Sequence, residues 1–591
     1  LPPGPKPLPI IGNLHELGER PHRSLAEFSK IYGPLMSLKF GQITTIVISS
    51  STIAREMFQK HDLSLSSRKV PAAIRENGHD KFSVAWLPVC PKWRTLRKIS
   101  AIHLFSNQRL DASQALRKAK VGELLEFVRE RSRTGEAVDV GEAAFTTSLN
   151  LLTNTFFSFD LASYSSKDAG EFRDLVWRLM EEIGKPNLAD CFPVLGFASK
   201  LTVNRRLLGY GNKLNDLFAK IVEERLQADP AQDNGVAGGD VLDTLIRLMR
   251  ENEAELGLDD IMHLLMVSIL FPSLLALFST STMIPYFSLP GNILGSHKQN
   301  ADQPKLADFC YKYLTAQESE NQNQLVKRIQ PIEPLDRTGC NKSRRYQDLH
   351  AYSPSPIRKV LSNLTLTMRP LIYNPNMDIY SPNWLIFMHQ DFFTAGTDTT
   401  SSTLEWAMAE LLRSPEKMEK ARDELEQVIG KDNVLLDESD IPKLPYLQAI
   451  VKETLRMHPP TVFLLPRKAD VQVELYGYLV PKDAQIFVNL WAISRDPNVW
   501  EKPDLFSPER FLGREFDMKG QDFGFLPFGA GRRICPGLTL AYRMLNLMLG
   551  TLIHAFKWKP GDGLSPEDLD MNDKFGITIQ KAKPLRAIPI P

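Results

Sequence analysis

The chain contains 591 residues, of which 43% are hydrophobic and 24% are charged, and its formal net charge is +1. This composition is typical of a globular protein and excludes a disordered or fibrous chain, and the balanced charge offers no general attraction for nucleic acid. The five cysteines form no CxxC pair, so neither a disulfide framework nor a zinc site is indicated.

Residues 1–13, "LPPGPKPLPIIGN", form a proline-rich neck in which five prolines enforce a stiff, extended backbone. No anchor helix stands before this neck in the sequence, so we expect a membrane anchor to be missing from it.

Residues 14–60 combine an amphipathic pattern, "PHRSLAEFSKIYG", with an alternating apolar run, "LMSLKFGQITTIVIS". The two patterns predict a helix followed by two short strands that meet at Gly41. Helical periodicity then dominates from about residue 90 to residue 265. Within it, "WRTLRK" places Trp93 and Arg97 four residues apart on one helical face, although an amphipathic helix with solvated cations would show the same spacing.

Residues 267–390 differ from both flanks, because the apolar run "VSILFPSLLALF" leads into proline-studded text without periodicity. So long a loop is unusual inside a compact domain. When the segment is removed, residues 258–266 continue into residues 391–412 as one amphipathic helix about 46 Å long. All codons for Val267 begin with GT and the codon for Gln390 can be CAG, as at intron borders.

We therefore interpret residues 267–390 as a retained intron, disordered or poorly packed, and residues 14–266 with 391–591 as one domain. A genuine surface insertion is an open alternative, since such insertions are tolerated thermodynamically. A transmembrane helix in the charge-free run from about Ile261 to Ser296 is disfavoured by its prolines and serines.

The helical pattern resumes in "TSSTLEWAMAELLRSPEKMEKARDELEQVIG" and in "LPYLQAIVKETLRMHPP", whose double proline must end the helix. Residues 471–493 alternate between apolar and polar around "YGYLVPKDAQ" and predict a hairpin. The predicted fold class is therefore mainly α with a minor β component.

A glycine-rich stretch, "FGAGRRICPG", occupies residues 528–537 and surrounds Cys535. Its glycines let the backbone turn tightly and approach a flat, bulky group, and Pro536 stiffens the turn. The helical pattern "GLTLAYRMLNLMLGTLIHAF" follows, so Cys535 lies just before a helix N-terminus that favours a thiolate, with Arg533 as a nearby cation. A buried structural cysteine is the alternative.

Five residues of this stretch match the signature FxxGxRxCxG, and the chain thereby resembles the cytochrome P450 superfamily. The resemblance implies the cytochrome P450 fold, with haem between a long oxygen-activating helix and the cysteine loop. It makes Cys535 the axial thiolate ligand of the haem iron. It also implies that Phe528 packs beside the sulfur and that Arg533 pairs with a haem propionate. The matching residues are Phe528, Gly531, Arg533, Cys535 and Gly537.

Further motifs follow the order that this family requires. "KETLR" and "PERF" supply Glu453, Arg456 and Arg510, which resemble the family's Glu-Arg-Arg network behind the haem. By the same resemblance, the remaining partners of the propionates are Trp93, Arg97, His458 and Arg467. A histidine bonded locally at a helix end is the alternative for His458.

The oxygen-activating motif of the resemblance is "AGTDTT", residues 395–400. Gly396 leaves room for a ligand in a long helix, and Asp398 and Thr399 place an acid and a hydroxyl beside that gap. The resemblance implies that these two residues deliver protons during oxygen activation. Helix capping is the alternative for both.

"VAWLPVCPKWRTLRKI" and "DFGFLPFGAGRRICPGLTLA" further resemble the plant group that includes geraniol 8-hydroxylase. The resemblance implies a monooxygenase that hydroxylates a small apolar plant metabolite, expected to be a terpenoid, with an alkaloid or phenolic as the alternative. Haem b, O2 and electrons from NADPH through NADPH-cytochrome P450 reductase are implied. The resemblance also implies a location at the cytosolic face of the endoplasmic reticulum membrane and no nucleic-acid partner. An inactive, mis-spliced haem protein and a haem-thiolate isomerase or dehydratase are the rival functions. The expected pocket residues are Trp86, Leu87, Ala395, Val462, Phe463, Leu464 and Ile577.

Overall fold

A computed structural model describes most of the chain outside its middle. The described residues are 1–164 without 72, 73, 76–78 and 82; the pieces 173–174, 176–178, 181, 188–192, 220–221, 224–227 and 240–246; and 382–591 without 432, 434, 514 and 515.

The chain divides into two compact units, Leu1–Asn252 with Asn376–Pro591, and Glu253–Pro375, and the second unit lies outside the described residues. Residues 267–381 of the predicted retained intron lie outside them as well.

Helices make up most of the described structure, as the sequence predicts. They are α1 Pro21–Tyr32, α2 Ser51–Lys60, α3 Pro91–Ile99, α4 Asn107–Ala112, α5 Gln114–Thr134, α6 Val140–Phe157, α7 Leu188–Cys191, α8 Pro382–Arg413, α9 Pro415–Ile429, α10 Pro445–Met457, α11 Leu490–Ile493 and α12 Leu538–Ala555.

Local chemistry accounts for where these helices begin and end. The side chain of Ser50 caps α2 and that of Asp139 caps α6, each by accepting a hydrogen bond from a backbone N–H of the first turn. Gly135 ends α5 in the left-handed conformation. Pro415 opens α9 directly after Ser414, which separates α8 from α9 within one predicted helical stretch.

The strands are short and form small sheets. They are β1 Leu35–Phe40, β2 Ile43–Ile48, β3 Ser67–Arg68, β4 Val138–Asp139, β5 Arg467–Lys468, β6 Val473–Leu475, β7 Tyr478–Val480, β8 Gln485–Val488, β9 Lys557–Pro560, β10 Asp573–Lys574, β11 Gln580–Lys581 and β12 Arg586–Ile590.

The five-stranded sheet, in the order β1-β2-β8-β5-β3, brings distant parts of the chain together. Its β1–β2 hairpin turns at Gly41, which has a φ of +59° that suits glycine. At the other edge, β3 and β5 pair with Arg68 opposite Arg467, so the sheet holds these two guanidinium groups side by side. The predicted hairpin at 471–493 is realised only as β6–β7, because β8 pairs with β2 and β5 instead.

Helix α8 lies at the centre of the helical part and packs against α6, α12 and α10. Leu404 and Met408 of α8 join Leu447 of α10 and Leu549 of α12 in one buried apolar cluster. This helix begins at Pro382, nine positions before the predicted start at 391. The predicted continuation from residues 258–266 lies outside the described residues.

Among the described residues, no helix combines the length and the hydropathy that crossing a membrane requires.

Candidate active site

A cavity of about 350 Å³ lies between α8 and the stretch that carries Cys535. Its wall also includes residues of α3, α6 and α12, the edge strand β3 with its neighbour β5, and the segment at Ile577. Most of the lining side chains are apolar, and a few polar groups and cations interrupt them. A cavity of this kind is the usual form of a small-molecule site.

Cys535 lines this cavity at the start of α12. Its backbone N–H donates to the Phe528 carbonyl at 3.0 Å, which closes the loop that the sequence predicts. Burial raises the pKa of the Cys535 thiol, whereas the backbone N–H groups of Gly537 and Leu538 and the Arg97 guanidinium lower it. Arg97 is therefore a cation that favours the thiolate of Cys535.

Four arginines line the same cavity and share one feature, which is that their guanidinium groups bond mainly to backbone carbonyls. Arg97 donates to Ile534 at 2.9 Å, and Arg68 donates to Leu465 at 2.7 Å. Arg533 donates to the carbonyls of Ser66, Val84 and Leu87, and Arg467 donates to those of Leu65 and Ala530.

The charge of this group is poorly compensated. Burial, and then repulsion from other arginines, lowers the pKa of Arg68 and that of Arg533, the latter to about 10. The Nε of Arg467 is buried without a hydrogen-bond partner in the described part of the chain. Buried cations are normally paired, so the arrangement favours an anionic ligand in the cavity.

Two of the predicted propionate partners lie differently from the expectation. Trp93 lines the cavity, but its indole N–H donates to the Val84 carbonyl at 3.0 Å, and Arg533 stacks over its ring. His458 does not line the cavity, and its role as a propionate partner stays a prediction. Its ring stacks on Trp406 at 3.9 Å, and its Nε2 lies 2.7 Å from a Glu410 oxygen.

The predicted Glu-Arg-Arg cluster is assembled in the core. Glu453 is fully buried and receives bonds from Arg456 at 2.7 and 2.9 Å and from Arg510 at 3.0 Å. The backbone N–H of Ser507 adds a further bond at 2.8 Å. Leu455, on the same helix, lines the cavity, so this cluster supports the cavity wall from behind.

The predicted pair Asp398 and Thr399 is split by the helix. Thr399 lines the cavity, and its hydroxyl donates to the Ala395 carbonyl at 2.6 Å. Asp398 is 1% exposed and does not line the cavity, because Thr578 and Gln580 donate to its two carboxylate oxygens. Burial raises the pKa of Asp398, and these two hydrogen bonds lower it.

The residues predicted to form the substrate pocket differ in their position relative to the cavity. Trp86, Ala395, Leu464 and Ile577 line the cavity. Leu87, Val462 and Phe463 do not, because their side chains pack in neighbouring apolar clusters.

Sequence reasoning missed several residues of the wall. Arg68 is the most important, and the alternating pattern of a two-residue strand gave no signal for it. Ser148 of α6 is another, and its buried hydroxyl has no partner in the described structure.

The comparisons with known proteins agree with this geometry. The pattern of the cytochrome P450 family matches residues 2–271 and 354–586. The whole chain is 60% identical to cytochrome P450 monooxygenase 76AD131 of Lophophora williamsii and 47% identical to cytochrome P450 76AD1 of Beta vulgaris, and it covers 93% of each. It is 44% identical to geraniol 8-hydroxylase of Catharanthus roseus, again over its whole length and over 94% of that enzyme.

The chain belongs to the cytochrome P450 family.

As a cytochrome P450 monooxygenase, the chain uses haem and O2, receives electrons from a redox partner and acts on a small organic substrate. The cavity fits this cofactor. Haem carries two carboxylates, which the undercompensated arginines would neutralise, and an iron that the sulfur of Cys535 would ligate. The apolar side chains of the wall suit the faces of a porphyrin.

Proposed function

We propose that this cytochrome P450 binds haem b through Cys535 and hydroxylates a small, largely apolar terpenoid, with electrons that pass from NADPH through NADPH-cytochrome P450 reductase. The observation that carries the proposal is that Cys535 and Thr399 line one cavity with a mainly apolar wall. The identity to geraniol 8-hydroxylase supports a terpenoid substrate.

When bound, haem supplies the activation of O2 and the insertion of one oxygen atom into a substrate C–H bond. Cys535 would ligate the haem iron through its sulfur, and Arg97, Arg467 and Arg533 would neutralise the haem carboxylates. Apolar residues such as Leu464 and Ile577 orient the substrate and exclude water.

Proton delivery falls to Thr399 and Asp398 in this proposal. The hydroxyl of Thr399 already reaches the cavity, where it can hold a water molecule or a proton donor. Asp398 is turned away toward Thr578 and Gln580, so its carboxyl must exchange one of these bonds before it can pass a proton to the cavity.

Substrate titration tests the proposal. Geraniol added to the purified haem-loaded enzyme should shift the Soret band, and turnover with NADPH and the reductase should give a hydroxylated product. If the reaction with NADPH and the reductase yields only isomerised or dehydrated product, the monooxygenase assignment is overturned. Failure of geraniol and of other monoterpenols to bind would overturn the terpenoid assignment.

A small alkaloid or phenolic is the second candidate, and the carboxylate of Asp391 favours the alkaloid. Asp391 lines the cavity, and the Ser83 hydroxyl lies 2.8 and 2.9 Å from its two oxygens. A carboxylate in an apolar wall suits a substrate with a cationic amine, a group that geraniol lacks. For such a substrate, Asp391→Asn should weaken binding at least about tenfold and leave geraniol binding unchanged.

The retained intron stays a proposal. The family match leaves residues 272–353 unmatched, which supports a foreign segment, although it resumes at 354 and α8 begins at Pro382. A transcript that lacks the segment would support splicing, and its presence in every transcript would refute it. A reduced, carbon monoxide difference spectrum of the full chain and of a form without 267–390 shows whether the segment abolishes the active site, as the inactive-product rival requires.

We also propose that the enzyme works at the cytosolic face of the endoplasmic reticulum membrane, beside its reductase. The proline-rich segment 1–13, which follows the anchor in the family that the sequence resembles, supports this location. Fractionation of the plant tissue tests it, and recovery of the enzyme away from microsomes would contradict it.

A further inference from the structure

Asp62 is a buried carboxylate that no motif marks. It follows α2 and precedes β3, and it is only 6% exposed. Its Oδ1 accepts a hydrogen bond from Arg467 Nη1 at 3.4 Å. Its Oδ2 accepts one from the backbone N–H of Arg532 at 3.1 Å and one from Arg532 Nη1 at 3.0 Å. One carboxylate therefore joins β5 to the loop of Cys535.

The loop is shaped to admit this carboxylate. Gly531 has a φ of +67°, and a Cβ added to it would lie 2.5 Å from Asp62 Oδ1. Any other residue at 531 would be strained and would displace Asp62. The glycine of the signature therefore has a specific role in this chain, which is to let the cysteine loop close over Asp62.

Asp62 also acts on the charge of the cavity. Arg68, Arg97, Arg467 and Arg533 line the cavity, and their nearest polar partners are mostly carbonyls. Asp62 is the carboxylate recorded in an ion pair with Arg467, and its charge also stabilises the cation of Arg533. An ion pair at a buried site is strong only if its geometry is maintained, and here three donors maintain it.

We propose that Asp62 is a positioning residue of the haem site, which holds the Cys535 loop through the Arg532 backbone and holds Arg467 at the cavity wall. The inference rests on the haem site described above. It assigns Asp62 no contact with substrate and no step of the reaction. Loss of the Asp62 carboxylate would free both the loop and Arg467. The iron–thiolate bond and the binding of the haem carboxylates would then weaken together.

The test is Asp62→Asn in the full haem-loaded chain, with Glu438→Gln as the matched control. Glu438 is also a carboxylate with a largely buried side chain, 9% exposed, that bonds to a buried arginine, Arg117, but neither residue lines the cavity. The readouts are the rate of haem transfer to apomyoglobin, the carbon monoxide difference spectrum and thermal unfolding. An asparagine keeps one acceptor but turns its NH2 group toward a guanidinium donor.

In Asp62→Asn, haem transfer should be about tenfold faster than in the wild type, and part of the red-shifted Soret band should be lost. Glu438→Gln should lower the unfolding temperature and leave both haem readouts unchanged. Wild-type haem readouts in Asp62→Asn, or equal changes in both variants, would overturn the inference.

If Asp62→Asn does not fold, Asp62→Glu replaces it, because its longer side chain cannot fit beside Gly531. The same changes are then expected, and wild-type values would refute the inference. If the wild-type chain binds no haem, the proposed function itself is overturned. If the wild type binds haem and the Asp62 variant has the same haem readouts, only this inference is overturned.

Discussion

Replacement of Glu405 by glutamine should make the protein more stable, and increasingly so as the pH rises. Glu405 lies on α8, 4% exposed, and its Oε1 accepts a hydrogen bond from the Leu585 backbone N–H at 2.7 Å. Burial, and then the charge of Asp139, raises its pKa to about 7, although the Leu585 bond and the cations of Arg173 and Lys581 lower it. A glutamine can keep the bond to Leu585 without carrying a charge.

The sign and the size follow from the difference between the folded and the unfolded pKa. The unfolded carboxyl titrates near 4.5 and the folded one near 7, so the folded protein binds more protons between these values. The protonated carboxyl of Glu405 therefore makes its full contribution to the stability of the wild type below pH 4.5, and this contribution is lost as the pH rises through 7. Its full size is roughly 3 kcal/mol, and roughly 2 kcal/mol of this falls between pH 5.5 and pH 8.5.

Urea unfolding at several pH values, followed by tryptophan fluorescence, measures this effect. The difference in unfolding free energy between Glu405→Gln and the wild type should grow by about 2 kcal/mol from pH 5.5 to pH 8.5. Glu419→Gln, at an exposed position of α9, is the control and should show a constant difference. A pH-independent difference for Glu405→Gln would show that its carboxyl does not titrate in this range in the folded protein.

Further changes test the site and its support. Cys535→Ala should abolish the red-shifted Soret band of the reduced, carbon monoxide-bound form, and an unaltered band would refute ligation by this sulfur. Glu453→Ala leaves Arg456 buried and unpaired, so urea unfolding should show a loss of about 3–5 kcal/mol, and a loss below about 1 kcal/mol would contradict the network. Thr399→Ala should lower the amount of product formed per NADPH several-fold, and the remaining electrons should be recovered as peroxide. The substrate-induced Soret shift should stay the same. An unchanged amount of product per NADPH would show that Thr399 does not take part in proton delivery.

The sequence predicted those features that depend on local chemistry. The turn at Gly41, the N-terminus of α12 and the closed loop of Cys535 each follow from glycine, proline and periodicity within about ten residues. The motif spacing of Glu453 and Arg456 also suffices, because residues three apart on a helix face each other.

Features that depend on distant partners were not predictable in this way. His458 follows a helix that the sequence locates well, yet its ring is set by Glu410 and Trp406 of another helix. Asp398 and Thr399 are adjacent, so a helix turns them about 100° apart, and the sequence does not show which one faces the cavity. Periodicity fails entirely for a loop such as 462–464, in which only the last residue reaches the cavity.

The charge of the cavity wall predicts that cofactor binding and folding are linked in this protein. Arg68 and Arg467 face each other across two paired strands, and Arg97 and Arg533 approach from α3 and the cysteine loop. Repulsion among these cations, of which Arg467 and Arg533 are buried and Arg68 and Arg97 half-buried, opposes the folded arrangement, and backbone carbonyls offset it only in part. An anion that binds the folded form alone would therefore stabilise it by mass action, and in the proposed haem complex two propionates on one rigid ring would do so at several arginines together. Within the chain itself, the carboxylate of Asp62 supplies one negative charge to these arginines, at the point where the loop of Cys535 closes. The loop can thus keep its sulfur directed at the cavity before haem arrives, and haem completes the charge balance that the wall requires.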